Sequence, residues 1–432
     1  FGASTEGLAR EGCRVLEHRG PDDAGWYAAS EGPVTLANRR LAILDLSPAG
    51  HQPMTTADGR YTLVYNGELY NHQELGQEMV ARGHRFRSRC DTEVLLEAVA
   101  RRGPAVLPEL NGMFGFALWD SRERRGLLAR DPFGVKPLYY AELGGGRLIF
   151  GSEIKALLLH PEVAPAIDPE ALQDYLAFLW VPEPKTLFEG IRKLPAGHYL
   201  EWHEGRHEIR RYYELPSGRE ALEDAEAAEA LRGHLRRAVR RQQVSDVPVG
   251  LFLSGGLDSS ALLAAMEVGK VRCYTAAFPA ADNAYDQFTD DLPYARQVAR
   301  WFGVKLVEFD IRAEVAELLP RLVYHLDEPL ADPAIVNTYL ICRQARQDGA
   351  IVLLSGQGAD ELLGGYRRHV GPLLNARLGW LPGAARGAIG KLAQRLPAGR
   401  PGRLGGALRR GRKLLAPLAK PPLEQFVDYC QW

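Results

Sequence analysis

Cysteine is scarce in this sequence, and the cysteines present do not cluster. Five cysteines, at positions 13, 90, 273, 342 and 430, are spread over 432 residues without a CxxC pair. This distribution argues against a disulfide framework and against a cysteine zinc site, and it favours a reducing compartment. We therefore expect a cytoplasmic protein.

Long apolar runs and an excess of one charge are also lacking. No apolar stretch approaches the roughly 20 residues of a membrane-spanning helix, so we expect no membrane partner. The formal net charge of −1 gives the whole molecule no polyanion-binding signature, so we expect no nucleic-acid partner. Small-molecule substrates are the expected partners, and the sequence leaves a homodimer open.

The most informative stretch that is present is Val247-Pro-Val-Gly-Leu-Phe-Leu-Ser-Gly-Gly-Leu-Asp-Ser-Ser260. It predicts a strand over 249–253, a glycine turn and a helix over 259–266. Backbone N–H groups at such a helix start bind anions, and the two glycines let a phosphate come close. Asp258 beside the turn suits Mg²⁺, which prefers oxygen ligands. The alternative is an ordinary strand–turn–helix joint in which Asp258 caps the helix.

The second half of the chain alternates strands and helices, which is typical of a doubly wound parallel sheet. The pattern predicts strands over 249–253, 271–278, 305–309 and 350–354, and helices over 225–243, 259–266, 293–302, 314–325 and 334–347. Ligands bind at the carboxyl ends of strands in such sheets. Asp258 and Asp360 both follow a strand, and two converging carboxylates suit a Mg²⁺-bridged triphosphate.

The first half, up to about residue 210, combines short strands with two helical patterns. The expected strands cover 33–37, 61–65, 114–119, 125–129, 138–141 and 148–151, and the expected helices cover 72–82 and 92–102. Asp91 is placed to cap the second helix. Asn66-Gly67 normally indicates a hairpin, but Glu68 and Asn71 follow and a helix begins, so a hairpin fits poorly.

A basic tract occupies residues 370–432, with eleven Lys/Arg and two acids. Such a tract can bind nucleic acid or a membrane surface, but it is more often a solvated helix face or a partly disordered insertion. We favour the second interpretation because Pro and Gly interrupt the tract and no motif accompanies it.

Seven motifs together resemble the glutamine-hydrolysing (class B) asparagine synthetase family over essentially the whole chain. The motifs are Arg19-Gly-Pro-Asp22, Asn66-Gly-Glu-Leu-Tyr-Asn71, Asp91-Thr-Glu93, Arg130-Asp-Pro-Phe-Gly134, Ser254-Gly-Gly-Leu-Asp-Ser-Ser260, Asp327-Glu-Pro-Leu-Ala-Asp332 and Ser355-Gly-Gln-Gly-Ala-Asp-Glu361. The resemblance implies an α/β and α+β two-domain fold. An N-terminal-nucleophile hydrolase-like (αββα) glutaminase domain is expected over 1–213. After a linker over 214–224, a doubly wound parallel-sheet ATP-pyrophosphatase (adenine nucleotide α-hydrolase-like) domain is expected over 225–432.

For the first domain the resemblance implies a catalytic Cys ahead of Phe1, with its free α-amino group as the base. The first residue is not Met, so we expect residues before it. Cys13 lies too far along the chain to replace that nucleophile, and we expect it to be an ordinary helix residue.

The resemblance also implies a glutamine pocket. Arg40 is expected to bind the α-carboxylate, and Glu68 and Asp91 the ammonium group. The Asn66 side-chain amide and the Gly67 N–H are expected to form the oxyanion hole. The expected glutamine-binding set is Arg40, Leu41, Ile43, Asn66, Gly67, Glu68 and Asp91. The alternative for Arg40, Glu68 and Asp91 is a surface ion-pair cluster or a set of helix caps.

For the second domain the resemblance implies ATP and Mg²⁺ as cofactors. The expected ATP-binding residues are Leu253, Ser254, Gly255, Gly256, Leu257, Asp258, Ser259, Ser260, Ala276, Ser355 and Gly356. Asp258 and Asp360 are expected to hold Mg²⁺. A carboxylate would attack the α-phosphate, giving an acyl-adenylate and pyrophosphate, and ammonia arriving through an internal tunnel would displace AMP.

Two features depart from the family pattern. Gln357, in the expected adenylate site, stands where asparagine synthetases carry a Glu linked to forming the aspartyl-adenylate, and a Gln cannot act as a carboxylate base. The acceptor is therefore open between aspartate and a related acid. Relatives also run past the equivalent of Trp432, through segments that complete the acceptor pocket and carry a Lys near the adenylate.

Three functions remain open from the sequence. The first is a glutamine-dependent amidotransferase that makes asparagine or a related amide. The second is an ATP-dependent enzyme like the β-lactam synthetases and lasso-peptide cyclases, which close a ring with an internal amine. The third is a regulatory or interaction protein with an inactive synthetase scaffold and an anionic partner on the basic tract. A Cys directly after the initiator Met would favour the first over the second.

Overall fold

The computed structural model describes residues 6–29, 34–218, 221–267, 269, 271–277, 291–310, 315–332, 334–366, 369–396 and 403–430. The chain forms two compact units. The first unit comprises Phe1–Leu172 and Val181–Ser355, and the second comprises Gln173–Trp180 and Gly356–Trp432. Within the described residues, no helix is long and apolar enough to cross a bilayer.

The described helices and strands have the following bounds. The helices are α1 (Glu6–Val15), α2 (His72–Ala81), α3 (Asp91–Arg102), α4 (Ile154–Leu157), α5 (Pro169–Phe178), α6 (Asp224–Gln242), α7 (Leu257–Ala265), α8 (Leu292–Phe302), α9 (Val315–Leu326), α10 (Ala334–Gln347), α11 (Ala359–Leu363), α12 (Val370–Arg377), α13 (Gly383–Gln394), α14 (Arg403–Leu415) and α15 (Pro422–Cys430). The strands are β1 (Asp23–Ala28), β2 (Thr35–Arg40), β3 (Met54–Thr55), β4 (Tyr61–Leu69), β5 (Gly112–Asp120), β6 (Arg125–Arg130), β7 (Tyr139–Leu143), β8 (Arg147–Gly151), β9 (Ile191–Lys193), β10 (His198–His203), β11 (Arg206–Arg211), β12 (Val249–Phe252), β13 (Arg272–Ala277), β14 (Lys305–Asp310) and β15 (Val352–Leu354).

The front half of the first unit is built on a six-stranded antiparallel sheet, in the order β11-β10-β6-β5-β4-β3. Successive side chains of a strand point to opposite faces, and both faces of β4 are covered. Leu63 and Tyr65 pack in the cluster shared with α3, whereas Val64 packs in the cluster shared with β2, β7 and β8. Burial on both faces explains why the first part of β4, residues 61–65, is mostly apolar.

A second sheet layer and a further helix layer lie beyond the Val64 face. The ladder β1-β2 and the three-stranded sheet β8-β7-β9 form that layer, and α1 and α4 pack on its outer side. Ile154 and Leu157 of α4 are buried against Ala141 of β7. The layers therefore run helices, sheet, sheet, helices, which confirms the expected αββα arrangement.

The second half of the first unit contains a four-stranded parallel sheet, in the order β14-β13-β12-β15. Leu263 of α7 and Ala295 of α8 pack on one face with Leu251, and Ala345 of α10 packs beside Tyr274 of β13. The expected doubly wound sheet is confirmed. The strand order reverses between β12 and β15, so their carboxyl ends flank a switch point, where such sheets bind ligands.

The described part of the second unit is helical and contains most of the basic tract. Gly371 of α12 approaches the ring of Tyr429, to which a Cβ at that glycine would come within 2.4 Å. The Tyr429 hydroxyl donates to the Leu414 carbonyl at 3.0 Å, which joins α15 to α14. Exposed basic residues such as Lys391 and Arg409 lie on the surfaces of these helices, in agreement with a solvated helix face.

Candidate functional site

A cavity of about 490 Å³ lies in the front half of the first unit. All the residues predicted to bind glutamine line it, namely Arg40, Leu41, Ile43, Asn66, Gly67, Glu68 and Asp91. Cys13 also lines the cavity and is a buried residue of α1, as expected for a helix residue. The fold thus brings together side chains that are far apart along the chain.

Strand β4 supplies three consecutive cavity residues. Asn66, Gly67 and Glu68 lie within the strand and pair with Gly115, Phe114 and Met113 of β5, so Asn66-Gly67 is not a hairpin turn. Only glycine fits at position 67, because a Cβ there would lie 2.4 Å from the Met113 carbonyl oxygen. The Asn66 side-chain amide donates to the Ser152 hydroxyl at 3.5 Å. Rigid pairing therefore fixes this edge of the cavity.

One oxygen of the Glu68 carboxylate, Oε1, is buried without a hydrogen bond among the described residues. Burial, and then the charge of Asp91, raise the pKa of Glu68 to about 8, while Lys136 acts in the opposite direction. Buried polar atoms are normally paired, so an unpaired carboxylate oxygen lining a cavity is suited to receive a cationic group.

Asp91 does not cap α3, and the cap interpretation is wrong. The helix begins at Asp91 itself, and Cys90 occupies the N-cap position. The Asp91 Oδ2 atom instead accepts hydrogen bonds from the Tyr65 hydroxyl at 3.0 Å and from the Leu69 N–H at 2.9 Å. These contacts tie a carboxylate at a helix N-terminus to β4 beside Glu68, which concentrates negative charge at one side of the cavity.

Arg40 provides positive charge in the same cavity. Its guanidinium donates to the carbonyls of Leu44 at 3.2 Å, Asp45 at 2.5 Å and Ser47 at 3.2 Å. Asp45 is left-handed, with φ of 56°, and a Cβ at Gly50 would lie 2.0 Å from Nη2. These contacts engage three of the five guanidinium N–H donors. Arg40 is thus held in a folded loop rather than in a surface ion-pair cluster.

Four further cationic side chains line the cavity and were not assigned from the sequence, namely Arg19, Arg39, Lys136 and Arg147. Lys136 follows the Arg130-Asp-Pro-Phe-Gly134 motif, and Arg19 opens the Arg19-Gly-Pro-Asp22 motif. Burial, followed by the charge of Arg19, lowers the pKa of Lys136. The charged turns were visible in the sequence, but which cavity they face depends on the fold.

The turn after β12 has the geometry expected of an anion-binding loop. Gly255 has φ of 78°, and a Cβ there would lie 2.4 Å from the backbone of Tyr294 and Ala295. Gly256 is the N-cap of α7, which begins at Leu257. Asp258 therefore does not cap the helix and lies in its first turn, where backbone N–H groups have no intrahelical acceptor.

Serine hydroxyls hold this turn in shape. The Ser254 hydroxyl accepts from the Gly256 N–H at 3.2 Å and lies 3.0 Å from the Ser259 hydroxyl. The buried Ser260 hydroxyl has no partner among the described residues. The Leu253 N–H donates to the Tyr274 carbonyl at 2.9 Å, which anchors the loop to the sheet.

The remaining residues predicted for the ATP site lie at several places. Leu257 is 86% exposed, Ala276 is in β13, and Ser355 follows β15 directly. Gly356, Gln357 and Asp360 belong to the second unit. Gln357 is exposed, and the Asp360 carboxylate packs against Gly365. That Asp258 and Asp360 share a metal ion remains a prediction.

Asp258 fits Mg²⁺ that arrives with a nucleotide. Within the described ranges, no group of three or more His, Cys, Asp and Glu side chains could hold a metal ion by itself. Mg²⁺ is commonly bound by one or two carboxylates together with substrate phosphates. A partly exposed carboxylate in the first turn of α7 meets that requirement.

The fold and the two sites define a class of protein, in which an αββα amidotransferase-type half is joined to a parallel-sheet half with a nucleotide-type loop. A family model described as a glutamine amidotransferase domain matches residues 2–213. A second, described as asparagine synthase, matches residues 230–428. The chain belongs to the family of glutamine-hydrolysing asparagine synthetases.

Three relatives illustrate the match. Asparagine synthetase (glutamine-hydrolysing) 1 of Bacillus subtilis is 33% identical over 98% of this chain and 65% of its own length. A provisionally named asparagine synthetase of Mycobacterium tuberculosis is 35% identical over 93% of this chain and 63% of its own length. A provisionally named asparagine synthetase of Methanocaldococcus jannaschii is 33% identical over 83% of this chain and 72% of its own length. The chain thus spans less than two thirds of the first two relatives.

The raised pKa of Glu68 predicts a pH-dependent stability. Its pKa moves from 4.5 to about 8 on folding, so between these values the folded chain binds more protons than the unfolded chain. The free energy of unfolding therefore falls as pH rises through this interval, by at most about 1.4 kcal/mol per pH unit. Glu68→Gln should remove this fall, so its Tm relative to the native chain should rise between pH 5 and pH 8. Parallel Tm curves would contradict the raised pKa.

Proposed function

We propose that this protein is a glutamine-dependent, ATP-dependent carbon–nitrogen ligase. It converts ATP, aspartate or a related carboxylic acid, and glutamine into asparagine or the corresponding amide, glutamate, AMP and pyrophosphate. The reaction runs through an acyl-adenylate, with ammonia passing inside the protein. The observation that best supports the proposal is the unpaired, buried Glu68 oxygen in a cavity that also contains Arg40.

The cavity matches glutamine at both charged ends. The remaining guanidinium donors of Arg40 bind the α-carboxylate, and Glu68 with Asp91 binds the ammonium group. A buried charge is stable only when it is paired, so the ligand supplies the partner that Glu68 lacks. Asn66 and Gly67 then stabilise the oxyanion that forms as the side-chain amide is attacked. The resemblance to the family implies a terminal Cys as the attacking group.

The parallel-sheet half receives the nucleotide. The N–H groups at the start of α7 and the turn at Gly255 and Gly256 bind the phosphates. Asp258 holds Mg²⁺, which supplies charge neutralisation for the triphosphate. Leu253, Ala276 and Ser355 lie at or near the carboxyl ends of β12, β13 and β15 and border the adenosine. A reducing, cytoplasmic location is part of the proposal.

A ring-closing enzyme of the β-lactam synthetase or lasso-cyclase type is the second candidate. Gln357 favours this second candidate, because with Gln at this position the acid-activating half departs from the usual asparagine synthetase pattern. The front half argues against it, since the predicted glutamine residues all line one cavity. Glutamine hydrolysis therefore separates the two candidates.

The direct test uses the full-length protein with its native N-terminus. We expect glutamate release from glutamine, and AMP release that requires ATP and one member of a panel of carboxylic acids beginning with aspartate. ADP in place of AMP would exclude the adenylate route. If the protein does not hydrolyse glutamine, the proposed function is wrong.

A further inference from the structure

Within the first unit, buried charged groups of alternating sign connect the end of α9 to the front half. The Lys155 ammonium lies 2.7 Å from Asp327 Oδ1 and also donates to Glu153. The side chains of Glu153 and Asp327 are only 4% and 5% exposed. Ion pairs this deeply buried are screened little by solvent, so the charge on each member depends on its neighbours.

The same charged series reaches the glutamine cavity through Glu153. Arg19 Nη1 donates to Glu153 Oε1 at 3.0 Å, and His18 Nε2 lies 3.0 Å from the same oxygen. Burial opposes ionisation of Glu153, but the hydrogen bonds from Lys155 and Arg19 outweigh it and lower its pKa. Arg19 lines the cavity, where burial and then the charge of Arg19 lower the pKa of Lys136. We name this series of four residues the ion-pair chain: Asp327, Lys155, Glu153 and Arg19.

Asp327 has a backbone conformation that is unusual for a residue other than glycine. It follows α9 directly with φ of 64°, a left-handed position at a helix end that glycine usually occupies. Its Oδ2 atom accepts the Ile154 N–H at 2.6 Å, next to Lys155. An Asp at this position therefore joins the end of α9 to the segment that contains Glu153 and Lys155.

The adjacent Glu328 makes separate contacts. Its carboxylate accepts the Leu187 N–H at 2.6 Å and lies 2.9 Å from the Lys193 ammonium. Both residues of the Asp327-Glu328 pair thus bind the front half, but only Asp327 belongs to the ion-pair chain. Glu328 is a matched control of the same charge and similar burial.

We infer that Asp327 is a positioning residue for glutamine hydrolysis, acting through Lys155 and Glu153 to hold Arg19 at the cavity. This inference rests on the proposed function, because it assigns glutamine to that cavity. It gives a role to the Asp327-Glu-Pro motif, which none of the reactions described above uses. The glutamine site then depends on a residue of the half that contains the parallel sheet.

The test is the kinetics of glutamine hydrolysis without ATP, in the full-length protein with its native N-terminus. Asp327→Asn keeps an acceptor for the Ile154 N–H, suits the left-handed backbone and removes the charge. We expect the KM for glutamine to rise about fivefold or more, with kcat within about twofold, because Asn66 and Gly67 on β4 do not move. A loss of stability alone would reduce the active fraction, and hence kcat, without raising KM.

Three controls make the result decisive. Glu328→Gln should leave KM unchanged. In an Arg19→Gln background, Asp327→Asn should change KM by less than about twofold, because the effects of substitutions that act through the same group are not additive. Glu153→Gln should raise KM like Asp327→Asn and replaces that variant if it does not fold.

Specific outcomes would overturn the inference. An unchanged KM in active Asp327→Asn, an equal rise in Glu328→Gln, or a full further rise in the Arg19→Gln background would each do so. A native protein that hydrolyses no glutamine would overturn the proposed function together with this inference. An active native protein with an unaffected Asp327→Asn variant would overturn the inference alone.

Discussion

Glu68→Gln is expected to lower kcat/KM for glutamine hydrolysis by about 10²-fold. The substitution keeps the shape of the side chain but removes the charge that pairs with the glutamine ammonium. Losing one partner of a buried charge pair costs about 2–5 kcal/mol, and about 1.4 kcal/mol corresponds to a factor of ten. Glutamate release should be measured near pH 8.5, above the pKa of about 8, so that the native carboxylate is ionised.

Two controls separate this effect from general damage. AMP formation with ammonium chloride as the nitrogen source should stay within about twofold of the native rate, because ammonia bypasses the cavity. Glu78→Gln, an exposed carboxylate on α2, should leave glutamine hydrolysis unchanged. An undiminished kcat/KM in Glu68→Gln would show that the ammonium group of glutamine does not pair with this oxygen.

Gly255→Ala is expected to reduce ATP-dependent AMP formation by about 10²-fold while glutamine hydrolysis persists. At φ of 78° an L-residue is strained by roughly 1–2 kcal/mol. The added Cβ would also lie 2.4 Å from backbone atoms of Tyr294 and Ala295, which cannot move as a side chain does. The loop must therefore shift, and its N–H groups would no longer point at the phosphates. AMP release with ammonium as the nitrogen donor measures the effect.

Gly303→Ala is the matched control for this substitution. Gly303 also has a positive φ, 64°, but no atom lies within 4 Å of its expected Cβ. It should lower stability by about 1 kcal/mol and leave AMP formation unchanged. Equal losses of AMP formation in both variants would mean that backbone strain, rather than the phosphate loop, controls the activity.

The predicted ranges correspond to ten of the fifteen described strands and to seven of the fifteen described helices, because the periodicity of these elements is local. The expected helices over 72–82 and 334–347 correspond to α2 and α10. The parallel orientation of β12, β13, β14 and β15 follows from the alternation of strands and helices along the chain. The sequence provided no bounds for α1, although Cys13 was expected to be a helix residue, and it did not predict β1 or α5. It also ended β4 at Tyr65, whereas pairing with β5 carries the strand on to Leu69, overriding the local turn preference of Asn66-Gly67.

The glutamine-binding set was predicted through the resemblance, and the fold brings its residues to one cavity. The contacts that hold them could not be predicted, because they are not local. Arg19 meets Glu153 across 134 positions and Ile154 meets Asp327 across 173, and neither pairing has a sequence period. Asp91 shows the same limit, since its position suggests a helix cap while its partners lie on β4.

Transfer of isotopic nitrogen tests the central claim most directly. The full-length protein is given glutamine labelled with ¹⁵N at its side-chain amide, Mg²⁺-ATP, the accepted acid and unlabelled ammonium as competitor. We predict ¹⁵N in the new amide, with one AMP formed for each amide and at least one glutamate for each ¹⁵N-labelled amide. An amide that carries only the competitor's nitrogen, or one formed with ADP, would contradict this prediction.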